Sequence, residues 1–150
     1  AEDNYGIAKI LGEAYTFKSS LVIRTSFIGG GLKSRNGFLN WILSRNDNCD
    51  GFSKAYFSGI TVFELASILK KLISLGSFPI GILHIGGQKI SKLTLIENIC
   101  STYNKRLKIN IIDDFKYDLS LDSSKFYKLY NYTAKTWDQM LKEQKLFDEE

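Results

Sequence analysis

The apolar positions Ile7, Ala8, Leu11, Ala14 and Tyr15 recur at helical spacing, which predicts an amphipathic helix over residues 5–17. Leu21-Val22-Ile23 is a short apolar run rich in β-branched residues. Ser19-Ser20 precede it and Gly29-Gly30-Gly31 follow, the pattern of a buried strand that ends in a loop. A short helix is expected from Phe38 to Leu43, closed by Asn46-Asp47-Asn48. Thr61-Val62-Phe63-Glu64 fits a capping box. Leu65, Ile68, Leu69, Leu72 and Ile73 then follow at helical spacing, and Gly76 supplies the stop. Ile80 to Ile85 reads as a strand ended by Gly86-Gly87. Ser91 is placed to cap a helix reaching Tyr103, with Leu95, Ile96 and Ile99 inward. Ile109, Ile111 and Ile112 predict a further strand. Asp122 is placed to cap a short helix through Tyr130, and Thr136-Trp137-Asp138-Gln139 is a second capping-box match that opens a last helix. The acidic end, Asp148-Glu149-Glu150, is expected to fray.

Helices and strands alternate along the chain, so the expected class is α/β. At 150 residues, one domain with a real core is within reach. A hydrophobic content of 44% with 24% charged residues is ordinary for a soluble globular protein, which argues against a disordered or membrane-embedded chain. No apolar run approaches the roughly 20 residues of a membrane span. The opening Ala1-Glu2-Asp3-Asn4 has neither the basic region nor the apolar core of a signal peptide. The formal charge of +4 is spread over scattered lysines with acids between them. That distribution lacks the basic stripe of a nucleic-acid surface, while a modest positive field suits an anionic small ligand such as a sugar nucleotide. Cys49 and Cys100 match no metal spacing, and two buried thiols in a reduced, cytoplasmic protein are the expected reading.

Tyr5-Gly6-Ile7-Ala8-Lys9 puts a phenol and an ammonium four residues apart, on one face of the predicted helix. A phenol ordinarily loses its proton near pH ~10, and a neighbouring cation favours the phenolate. A phenol tuned in this way can pass a proton to or from a substrate oxygen while a hydride moves at carbon. The spacing alone is weak, because a chain this rich in tyrosine and lysine carries about one such pair by chance. On spacing alone, a surface lysine over a helix explains it equally well.

The surrounding residues narrow the choice. Asn4-Tyr5-Gly6-Ile7-Ala8-Lys9-Ile10-Leu11-Gly12-Glu13 resembles the tyrosine–lysine helix of extended short-chain dehydrogenases, where a small residue precedes the lysine and Gly-Glu follows. Leu21-Val22-Ile23-Arg24-Thr25-Ser26-Phe27-Ile28-Gly29 then resembles the next strand of the dTDP-4-dehydrorhamnose reductase branch. That strand typically reads Leu-Arg-Thr-Ser plus a bulky residue, whereas epimerases of the superfamily usually have Arg-Pro and an Asn. Tyr56-Phe57-Ser58-Gly59-Ile60-Thr61 with Glu64-Leu65-Ala66 is similar to that branch's loop and helix. Leu83-His84-Ile85-Gly86-Gly87 resembles its Tyr-His-Val-Ser-Gly strand end, and Ser120-Leu121-Asp122-Ser123-Ser124-Lys125-Phe126 its late Leu-Asp-Ser-Ser-Lys segment. The motifs keep their order from residue 4 to about residue 143.

The resemblance implies the C-terminal part of a Rossmann-like NAD(P)-binding fold plus the small α/β substrate-binding domain. Residues 1–30 would be the tail of the Rossmann-like part and 31–150 mainly the sugar-nucleotide region, with 51–75 returning to the Rossmann sheet. Tyr5 would donate the proton to the sugar C4 carbonyl, and Lys9 would bind the nicotinamide ribose. Thr25, Ser26 and Phe27 would line the nicotinamide and sugar site. The loop carrying Lys33, Arg35 and Asn36, together with Phe38, would meet the sugar nucleotide. Beside these roles stand plainer ones. Phe27 has core packing as an equal alternative, and Arg24 either binds phosphate or braces the fold, with bracing favoured. His84 is expected to be a structural histidine, Trp41 and Trp137 core aromatics, and Lys70-Lys71 a solvated helix face.

Two departures stand out. Relatives usually carry an arginine just before Ser-Leu-Asp, where this chain has Leu119. No Gly-x-Gly-x-x-Gly or Gly-x-x-Gly-x-x-Gly follows a strand, and the serine or threonine that completes the usual triad is missing. The expectation is a fragment of an NAD(P)H-dependent nucleotide-sugar 4-keto reductase, inactive alone, with most of the NAD(P)H site in a missing N-terminal half. The alternatives are a nucleotide-sugar epimerase or dehydratase, or a non-catalytic sugar-nucleotide-binding module. A nucleotide sugar is the expected partner, with no nucleic acid and no membrane, and self-association through an exposed apolar face stays open.

Overall fold

The computed structural model describes residues 3–16, 20–29 and 37–149. Helix α1 (Asn4–Thr16) starts where the Asp3 carboxylate accepts a hydrogen bond from the Gly6 N–H at 2.7 Å. Strands β1 (Leu21–Thr25) and β2 (Phe27–Ile28) follow, separated by Ser26. The chain continues through α2 (Phe38–Ser44), β3 (Asn48–Phe57), β4 (Ile60–Thr61) and α3 (Val62–Leu75). It ends with β5 (Gly81–Ile85), β6 (Ile90–Ser91), α4 (Lys92–Thr102), β7 (Lys108–Leu119), α5 (Ser124–Leu129) and α6 (Trp137–Glu149). The predicted elements are present close to their expected bounds. Among the described residues no helix is long and apolar enough to cross a membrane.

Parallel pairing dominates. β1 runs beside β5, from Leu21 opposite Gly81 to Thr25 opposite Ile85. β2 runs beside β4, so the segment within 51–75 that meets this region is Ile60–Thr61, while the partner along β1 itself is β5. The third sheet has the order β6-β3-β7, antiparallel on one side of β3 and parallel on the other, with a register break between Phe52 and Lys54. Periodicity does not predict β3, although it is the central strand. Its run contains Gly51, Ser53 and Lys54, and its burial does not alternate cleanly. The reason for Gly51 is tertiary: a Cβ there would sit 2.6 Å from both the Ile109 and Leu93 side chains. β7 also extends past its isoleucines to Leu119.

The core gathers Ile42, Ile85, Ile96, Ile99, Met140 and Leu141, all essentially solvent-free. α6 packs against α4, α3 and β4, and so closes this core over the sheets. Trp137 is buried as expected, its indole N–H donating to the Gln88 carbonyl at 2.8 Å. Trp41 is not a core residue. It is 38% exposed, with the Arg45 guanidinium 4.5 Å from its ring centroid, because its helix is short and buries only Leu39 and Ile42. Ile73 is likewise 70% exposed, on the outer side of α3. Cys49 is buried, Cys100 half-buried, and both are free thiols pushed up in pKa by desolvation.

The caps are partly as predicted. α6 opens with a reciprocal capping box: Thr136 N–H donates to Gln139 Oε1 at 2.9 Å, and Gln139 N–H to Thr136 Oγ1 at 3.2 Å. At α3, Thr61 Oγ1 accepts from Glu64 N–H, but the Glu64 side chain does not return the bond. Instead this carboxylate, 2% exposed, accepts from the Tyr132 hydroxyl and lies 2.6 Å from Lys135 Nζ. Burial drives the Tyr132 phenol up, reinforced by its bond to Glu64, so it stays a donor. A further donor at the start of α3, Phe63 N–H, is taken by Gln144 Oε1 at 2.9 Å. Asp122 does not cap α5. It accepts from Ser124 N–H at 2.9 Å, while Ser123 holds the cap position without a side-chain bond. Of the acidic end, Asp148 is tied down, since it accepts from Tyr103 and from Gln144, while Glu150 lies outside the described residues.

One crossing joins the β1/β5 pair to the three-stranded sheet. Gly87 N–H donates to the Ser58 carbonyl at 2.8 Å, Leu121 N–H donates to Ser58 Oγ at 2.7 Å, and Ile60 N–H donates to the Ser26 carbonyl at 3.0 Å. A Cβ on Gly86 would lie 2.5 Å from the Ser58 carbonyl, a backbone atom that cannot swing aside. Gly86→Ala is therefore expected to lower unfolding stability by about 1–3 kcal/mol in urea titration. Gly12→Ala, with open space around it on α1, should be neutral or raise stability by up to ~1 kcal/mol.

Candidate functional site

A groove of about 730 Å³ lies beside this crossing. One wall is formed by Tyr5, Lys9 and Glu13 of α1, by residues 23–28 of β1 and β2, and by Phe38 of α2. The other wall comes from Ala55, Tyr56 and Phe57 of β3, Lys92 and Leu95 of α4, Tyr117 and Leu119 of β7, and Leu121. Strand periodicity explains the second wall, because Tyr117 and Leu119 are two positions apart and so share a face.

Tyr5 and Lys9 stand on one face of α1, one helical turn apart, with Lys9 Nζ 5.3 Å from the Tyr5 ring centroid. The tyrosine is 72% exposed, so its hydroxyl is open to the groove and to solvent. Thr25, Ser26 and Phe27 continue from the end of β1 along the same wall. Phe27 is 55% exposed, which rules out the core-packing alternative. Phe38 lines the groove as well and packs 5.9 Å from the Trp41 ring centroid. Six of the nine residues picked out from the sequence thus share one cavity. Lys33, Arg35 and Asn36 lie outside the described residues.

Arg24 braces the fold. Its Nε donates to Glu13 Oε1 at 2.9 Å and its terminal nitrogen to Glu13 Oε2 at 2.6 Å, a fork that ties β1 to α1. The hydrogen bond from Arg24 holds the Glu13 carboxyl below its usual range. His84, opposite Arg24 in the β1/β5 register, is half-buried and does not line the groove. Lys70 and Lys71 are exposed, as a solvated helix face requires. The sequence reading missed Tyr56, Lys92 and Tyr117 as groove residues, while Leu119, noted there for the arginine it replaces, does line the groove. The only local signal for the missed residues is the spacing of the β7 pair and the position of Lys92 directly after a helix cap.

No protein-family model matches the chain, and no curated protein matches it. Solved structures do. A dTDP-4-dehydrorhamnose reductase from Bacillus anthracis in complex with NADP aligns with a TM-score of 0.77 and 18% identity, over 95% of this chain and 54% of its own. A hypothetical dTDP-4-dehydrorhamnose reductase from Sulfolobus tokodaii aligns at 30% identity with a TM-score of 0.69, over 87% of this chain and 49% of its own. The Bordetella bronchiseptica enzyme WbmG, in complex with NAD and UDP, aligns at 19% identity with a TM-score of 0.73, over 97% and 50%. The chain therefore spans about half the length of the structures it matches. The mixed α/β arrangement is the Rossmann-like fold these proteins share, and the likeness to dTDP-4-dehydrorhamnose reductases seen in the motifs extends to the fold over nearly the whole chain.

A carboxylate held low by an arginine stabilises the folded state above its ordinary range, and that contribution is lost as pH falls through the depressed value. The Glu13–Arg24 tie should therefore hold α1 in place at neutral pH and release it in acid. Arg24→Gln is expected to raise amide hydrogen exchange several-fold across Asn4–Thr16 while leaving α3 and α4 unchanged. Equal exchange in α1 with and without Arg24 would show that something else holds the helix.

Proposed function

We propose that this chain is the substrate-binding portion of an NAD(P)H-dependent nucleotide-sugar 4-keto reductase and carries its proton-transferring tyrosine. The observation that carries this reading is the shared cavity: Tyr5 and Lys9 open on a groove that also takes Thr25, Ser26, Phe27 and Phe38. A groove of about 730 Å³ with several aromatic rings is in the range of small-molecule sites. The solved structures support the substrate and cofactor classes, one being in complex with NADP and another with NAD and UDP.

The residues present fit the nicotinamide end of the cofactor, because Lys9 and Thr25 to Phe27 flank Tyr5 on the open wall. When bound, NAD(P)H supplies the hydride that reaches the carbonyl carbon. Tyr5 gives its hydroxyl proton to the carbonyl oxygen, so that the ketone becomes a secondary alcohol. Lys9, one turn along, is placed beside the Tyr5 ring to hold the ribose. Phe27 offers an exposed ring against which a sugar can rest.

The dinucleotide half would come from outside these 150 residues. Two features favour this. Among the described residues β1 pairs only with β5, which leaves one edge of a parallel pair free. Ile7, Ile10 and Leu11 of α1 are exposed, an apolar face that a further α/β layer would cover. In this proposal residues 1–30 complete the Rossmann-like part, residues 31–150 hold mainly the sugar nucleotide, and Ile60–Thr61 return to the Rossmann side.

The chain alone is expected to turn over no NADPH with a dTDP-4-keto sugar. Supplied with a complementing dinucleotide-binding half, it should reduce that sugar with one NADPH consumed per product, and Tyr5→Phe should cut the rate by about 10²–10⁴-fold. Product formed without net cofactor consumption would replace the reductase with an epimerase or dehydratase. Turnover untouched by Tyr5→Phe would remove the proposed chemistry.

A further inference from the structure

Leu119 stands in the groove where the resemblance leads one to expect an arginine; if that arginine grips the ligand's diphosphate, the cation here has to come from elsewhere. The groove wall carries three cationic side chains, Lys9, Arg24 and Lys92, against the single carboxylate of Glu13. Arg24 is occupied by Glu13 through a two-point fork. Lys9 sits over the Tyr5 ring. Nearby Lys89 is committed to Asp118 at 2.5 Å and lies outside the lining. Among the described residues, Lys92 has neither ion pair nor hydrogen bond, although it is half-buried beside aromatic rings. An ammonium without a counter-ion on a groove wall gains from an incoming anion.

Its position is also fixed. Ser91 pairs with Tyr56 across β6 and β3, and its Oγ accepts from Thr94 N–H at 3.1 Å, which locks the first turn of α4. Lys92 therefore enters the groove next to Tyr56, on the same wall as Tyr117, whose ring is available to a base. We propose that Lys92 binds the diphosphate of the nucleotide sugar, in the role that Leu119 cannot fill. This rests on the nucleotide-sugar reading of the groove.

The test is calorimetric titration of the 150-residue chain with thymidine diphosphate and with thymidine, at two salt concentrations. Lys92→Gln and Lys92→Met, the second keeping the aliphatic stem, should weaken thymidine diphosphate by about tenfold and flatten its salt dependence. Thymidine binding should not change, and Lys92→Arg should restore the diphosphate. If the variants bind thymidine diphosphate like the unmodified chain, or lose thymidine in equal proportion, Lys92 has no such role and the nucleotide-sugar reading stands without it. If the unmodified, folded chain binds neither compound, that reading falls and takes this proposal with it.

Discussion

The backbone crossing at Ser58 and Gly86 is the constraint on which the rest of the molecule depends. The β1/β5 pair and the three-stranded sheet meet there, held by carbonyl and amide contacts together with the Ser58 hydroxyl. Ser58 serves three partners at once: its carbonyl takes Gly87 N–H, its hydroxyl takes Leu121 N–H, and its flank admits only a residue without Cβ. The Tyr127 hydroxyl donates to the Gly86 carbonyl at 2.7 Å, which ties α5 to the same point. The walls of the groove are carried by the elements joined here.

Polar groups divide into those that hold the fold and those left for a ligand. Buried Glu64 is met by half-buried Tyr132 and Lys135, and desolvation of the lysine is outweighed by its bonds to Glu143 and Glu64, so it is held cationic. Asp118 is drawn below its usual range by Lys89 and Ser120, and this clamps the far end of β7. Arg24 is taken up by Glu13. Two cations and a row of rings remain facing the groove, a combination suited to an anionic ligand with a planar base and a sugar.

The helix that carries Tyr5 and Lys9 packs only lightly on its own chain. Its apolar stripe, read from the sequence as that of an ordinary amphipathic helix, is turned to solvent at Ile7 and Leu11, and Ile10 beside it is exposed as well. Periodicity reports that a face is apolar but not what covers it. The same ambiguity explains Trp41 and Ile73, which fit helical spacing and yet lie outside the core.

Local chemistry was enough to locate most elements. The cap at Thr136, the left-handed stop at Gly76 and the isoleucine-rich strands act over a few residues, and such short-range rules survive in any fold. The Tyr5–Lys9 spacing likewise depends only on the helix that holds it. Strand β3 was beyond that reach, since Gly51 and Lys54 make sense only against Leu93, Ile109 and the β7 ladder. So was the second wall of the groove, where residues far apart in the chain, such as Tyr56, Lys92 and Tyr117, meet through sheet register. Glu64 marks the boundary between the two kinds of information: its backbone follows the local capping rule, while its carboxylate turns to Tyr132 and Lys135 because a buried charge takes the partners that only the folded chain brings to it.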